Sequence, residues 1–125
     1  MKSLPFWFIA VGVVLALLGM AWGIQMSITQ DHSLAPAHAH NNLVGYVTMV
    51  IYGVYYKLVP AAAVTRLAVA HFWIALVGAV TFGAGVAMVL TGSGEWLVQI
   101  ASMATILGMA IFVYTVFRNR SSLTV

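Results

Sequence analysis

Four histidines carry most of the chemical capacity of this sequence: His32, His38, His40 and His71. His38 and His40 are two positions apart. On a helix that separation turns the rings about 200° from one another, so they point to opposite faces. One metal ion cannot take both unless the helix starts after His38, whereas two different ligands, one on each face, fit this spacing without distortion. Ionisable side chains at membrane depth are costly and are functional candidates by default. The competing reading is that both rings cap the helix or meet lipid headgroups, and the residues alone leave the two readings open. His32 lies in the polar stretch Thr29 to Ser33 as a possible additional metal ligand. His71 is expected about 20 Å or more from His40, too far to share a ligand with it.

The remaining polar residues narrow the chemistry further. There is no cysteine, which removes thiolate metal sites, disulfides and thiol catalysis. Only two acidic residues are present, Asp31 and Glu95. No nucleophile sits with a base and no loop is built to cradle phosphate, so hydrolysis has nothing to work with. Asn41, Asn42, Thr48 and Thr81 are expected to make hydrogen bonds between helices. Tyr52, Tyr55 and Tyr56 read as an aromatic belt. Met20, Met26, Met88 and Met103 read first as core packing and second as thioether ligands.

The elements that must position these residues follow from composition. Of 125 residues, 63% are hydrophobic and 6% charged, against about 25% charged in an ordinary soluble domain. So much apolar surface cannot be hidden in so small a core, and the bilayer becomes the expected solvent. Four runs approach the roughly 20 apolar residues that a span requires. They cover about 4–28, 36–59, 67–91 and 96–117, giving an all-α, four-helix transmembrane bundle as a single domain over 1–125. The first run is too long for a signal-peptide core and reads as a retained helix. Pro60 should stop the second run, and Thr91-Gly92-Ser93-Gly94 should link the last two tightly.

Lys2, Lys57, Arg66, Arg118 and Arg120 then flank one side of the membrane, and Asp31 and Glu95 the other. Positive residues stay inside, so both termini are expected in the cytoplasm. The net charge of +3 reports this topology and offers no nucleic-acid surface. Trp7, Trp22, Trp73 and Trp96 fall near span ends, where amphipathic rings settle. Gly19 and Gly23, together with the stripe Ala75, Ala79, Gly83 and Ala87, mark seams for close helix approach within the chain.

Between His38 and Pro60 the sequence reads HAHNNLVGYVTMVIYGVYYKLVP, and HFWIALVG follows from His71 to Gly78. These segments resemble the tenth and eleventh helices of subunit I of the heme–copper oxidases. There the tenth helix opens with His-x-His, passes a glycine and a tyrosine pair, and ends at a proline, while the eleventh opens with His-Phe-Trp. The tyrosine pair, Tyr55-Tyr56 here, is displaced by one position. The resemblance implies that His38 corresponds to the ligand of the high-spin heme and His40 to a ligand of the low-spin heme. His71 corresponds to no heme ligand and is then structural or interfacial. Subunit I is far longer, and its copper-ligating histidines, histidine-linked tyrosine and acidic proton channels have no counterpart here. Oxygen reduction by this chain alone is therefore not expected.

Subunit I resembles three four-helix units around a pseudo-threefold axis, which a homotrimer of this chain would imitate. The leading expectation is a heme b protein of a bacterial inner membrane. Heme would lie between His40 of one protomer and His38 of another, serving electron transfer with an unknown redox partner. Two alternatives stand beside it. In one, a single histidine holds the heme and NO or O2 takes the open position, with copper at His32. In the other, the chain is a heme-free accessory subunit of a respiratory complex, or a metal-binding protein using His32, His38 and His40.

Overall fold

The computed structural model of the protein describes residues 2–124. They are helical almost throughout, with no strand among the described residues. Three helices are long and apolar enough to cross a membrane: α1, Leu4–Thr29; α5, Arg66–Leu90; and α6, Trp96–Arg118. Without water, a bilayer-embedded backbone must satisfy its own hydrogen bonds, which an uninterrupted helix does. Large apolar side chains cover the outer surface of these helices, among them Met20 and Met103 at 68% and 69% exposure. The expected packing role for these two methionines is therefore corrected: both face outward, whereas Met26 is buried.

The expected single helix at 36–59 is three helical stretches joined end to end. They are α2, Ala35–His40; a π-helical segment, Asn41–Val47; and α3, Thr48–Leu58. The junctions at His40, Val47 and Thr48 keep right-handed helical angles, so the backbone continues without a turn. Thr48 fixes the wider pitch. Its backbone N–H and its hydroxyl, at 2.7 Å, both donate to the carbonyl of Leu43, five residues back. Gly45 shows why the segment sits here. A Cβ at this position would come within 2.9 Å of Leu15 Cδ1 on α1 and 3.2 Å of the Ala79 carbonyl on α5. A side chain at this point would displace the Leu15 methyl and crowd the Ala79 carbonyl.

Val59 leaves the helical region ahead of Pro60, ending α3 as expected. Pro60 opens a single turn, α4, Pro60–Ala63. Thr65 caps α5 by accepting from the Ala68 N–H, a contact worth about 1 kcal/mol. At the far end, Gly92 and Gly94 take positive φ in the tight connection to α6.

The run 35–58 lies between α1 and α5, and α6 packs along α5. Each neighbouring pair is antiparallel. Gly12 meets Val50 while Gly53 meets the Pro5 carbonyl. Gly83 meets Asn41, and Gly85 meets Val98 while Gly108 meets Ala75. The small residues thus line intrachain seams: Gly19 packs on Asn42 and Gly23 on His38. This arrangement brings all five cationic side chains to one end of the bundle and both acidic side chains to the other.

Candidate functional site: the histidine pair

His38 and His40 leave α2 in different directions, as their spacing requires. The His38 ring turns toward α1, where Nε2 lies 3.0 Å from the Gly19 carbonyl and 3.3 Å from Asn42 Nδ2. Its edge meets Trp22 with centroids 5.9 Å apart. A helix carbonyl can only accept, so Nε2 carries the proton in this arrangement. Asn41 reinforces the same seam by donating to the Leu15 carbonyl at 3.2 Å.

His40 turns toward α5. Its ring stacks on Phe82 with centroids 4.9 Å apart and planes inclined by 16°. Nδ1 lies 2.7 Å from the Pro36 carbonyl and must donate to it. That bond selects the tautomer whose Nε2 bears a lone pair, and it fixes the ring plane. A backbone carbonyl on the second nitrogen is the usual support of a metal-binding imidazole. The π-helical segment begins at the next residue, and such segments recur at functional sites. His40 is half-buried, with its free nitrogen at the outer surface of the bundle.

His32 is exposed in the connection between α1 and α2. Beside it Ser33 hydrogen-bonds Asp31 through its side chain and its N–H, holding that carboxyl below the ordinary carboxylate range. His32, His38 and His40 do not converge: among the described residues no three metal-ligating groups come together. The grooves nearest to cofactor size, of about 320 to 530 Å3, are lined by residues other than His38 and His40.

Far from this pair lies a polar contact that spacing alone did not expose. His71 is fully buried, and its Nδ1 is 2.8 Å from the Tyr56 hydroxyl. Phe8, Tyr52 and Phe112 surround the imidazole with centroids 4.4 to 6.1 Å away, and Nε2 has no hydrogen-bond partner. Tyr52 and Tyr56 are 2% and 1% exposed and Tyr55 is also buried, so the expected aromatic belt is corrected to an aromatic core. Of the two readings for His71, interfacial placement is excluded. A signal for the pair existed: Tyr56 lies two residues before the end of α3 and His71 five after the start of α5, so both are within two turns of the short connection that folds these helices back on each other.

Two further expectations change. Thr48 and Thr81 bond carbonyls of their own helices, Leu43 and Val77, instead of bridging neighbours. Asn42 lies against His38 of its own helical run, with Nδ2 3.3 Å from Nε2, and its Oδ1 accepts from Asn41 at 3.4 Å. Only Asn41 of the four bonds to another helix. No known protein family, curated protein or solved structure matches the chain.

Proposed function

We propose that the chain is an integral membrane heme b protein of four spans, both termini in the cytoplasm, in which a homotrimer holds heme between protomers. His40 of one chain and His38 of the next would hold the heme, and the role would be electron transfer. The observation that carries this reading is the His40 tautomer: Nδ1 is committed to the Pro36 carbonyl, leaving the Nε2 lone pair at the outer surface. Phe82 braces the ring, so little rotamer freedom is lost on ligation.

His38 fits the second axial position at a modest cost. Ligation through Nε2 would break its bond to the Gly19 carbonyl, worth about 1 kcal/mol net, and would require the ring proton to sit on Nδ1 instead. Asn42, Asn41 and Trp22 remain around the ring and limit its new orientation. Heme held by these two imidazoles would supply a one-electron iron couple. The four-span count rests on the continuous helical path over 35–58, whose length of about 36 Å at 1.5 Å per residue exceeds the hydrocarbon thickness. The orientation rests on the five cations gathered at one end.

The test is the absorption spectrum of protein purified from cells supplied with a heme precursor. A b-type α band in the reduced form is expected, lost in His40→Ala while helicity and monodispersity persist. Colourless protein, or an unchanged spectrum in His40→Ala, overturns the reading.

A second reading is favoured by the His38 contact itself. If Nε2 stays on Gly19, the iron has His40 alone and an open position for NO or O2. Carbon monoxide separates the two: rapid binding to the reduced protein, unaffected by His38→Ala, supports the open site.

A further inference from the structure

At the cationic end of the bundle, a groove of about 460 Å3 opens between the end of α6 and the connection from α4 to α5. Its polar wall is Tyr114, Arg118, Asn119 and Thr65, and Ala61 and Leu67 add apolar wall. The donors are arranged in sequence. Arg118 Nη1 donates to the Tyr114 hydroxyl at 3.3 Å, which leaves the phenolic proton and the other guanidinium N–H groups available. Asn119 Nδ2 donates one proton to the Thr115 carbonyl at 2.8 Å and keeps its second. Thr65 adds no donor, because its hydroxyl is already directed to the Ala62 carbonyl.

Charge completes the pattern. Lys2, Lys57, Arg66 and Arg120 lie at the same end as Arg118, while Asp31 and Glu95 are both at the other. No acidic side chain is at hand to neutralise the groove. From this arrangement we infer that the groove binds the phosphodiester of an anionic phospholipid. Arg118, Tyr114 and Asn119 would face the phosphate, and the apolar wall would receive the start of an acyl chain. Basic pockets between helices near the membrane surface take such headgroups. A guanidinium with an adjacent hydroxyl offers more than the diffuse attraction of a cationic end. The inference is independent of heme.

Native mass spectrometry of the full chain in detergent tests it, with phosphatidylglycerol, phosphatidylcholine and inorganic phosphate as probes. One phosphatidylglycerol retained per chain is expected, at about tenfold preference over phosphatidylcholine. Arg118→Gln should abolish that preference and Arg120→Gln should keep it, since Arg120 lies outside the groove. Equal retention of the two lipids overturns the proposal, as does a preference lost equally in both variants, which marks diffuse charge. Displacement of phosphatidylglycerol by millimolar inorganic phosphate also overturns it, in favour of a free-anion site. Circular dichroism of each variant provides the folding control.

Discussion

Two histidine environments in one chain show how the partner of an imidazole decides what it can do. His40 gives one nitrogen to a carbonyl and presents the other outward; His71 shares one with Tyr56 and buries the other among rings. The second arrangement has a measurable signature. Removing the Tyr56 hydroxyl leaves both imidazole nitrogens without a partner in an apolar core, and an unsatisfied buried group costs about 1–3 kcal/mol. Tyr56→Phe is therefore expected to lower the thermal midpoint in detergent. The double variant Tyr56→Phe with His71→Phe should recover part of that loss, because neither polar atom then remains. A double variant no more stable than Tyr56→Phe alone would show that the pair is not a hydrogen-bonded unit.

The decisive element is the π-helical segment, because it sits between two helices and directly follows the histidine pair. Gly45 is its tightest point, with Leu15 on one side and the Ala79 carbonyl on the other. A valine there must displace the Leu15 side chain and crowd the Ala79 carbonyl, and overpacking of that kind costs about 1–3 kcal/mol. Gly45→Val should greatly reduce the yield of monodisperse protein. By contrast, Gly92→Ala adds a Cβ with nothing within 4 Å, and pays only for its positive φ, about 1 kcal/mol. Equal behaviour of the two variants on size exclusion would refute the close approach drawn here for Gly45.

For the whole molecule, the separation of charge between the two ends is the feature with the widest consequence. Positive-inside insertion would put Ser121 and Lys57 in the cytoplasm and Ser33 and Ser93 outside. The sequence has no cysteine, so single-cysteine variants give clean labelling sites. An impermeant thiol reagent applied to spheroplasts should modify Ser33→Cys and Ser93→Cys and spare Ser121→Cys. Labelling of Ser33→Cys and Ser121→Cys from the same side would remove the four-span reading and leave three spans with a half-buried α2–α3 run.

Much of this architecture is written in the one-dimensional pattern, for a plain reason: in a low-dielectric solvent, the length of an apolar run and the placement of its charges suffice to define helices and their ends. The limits of α1, α5 and α6, the stop at Pro60 and the opposed directions of His38 and His40 all follow from such local rules. Side-chain partners do not. Whether Tyr56 lines a membrane surface or the core, whether Thr48 bridges helices or widens its own, and which nitrogen of His40 is free depend on contacts with residues distant in sequence or on exact pitch. Helix rotation and register set those contacts, and a few ångströms of packing at Gly45 and Gly19 fix both. The tertiary structure alone decided them.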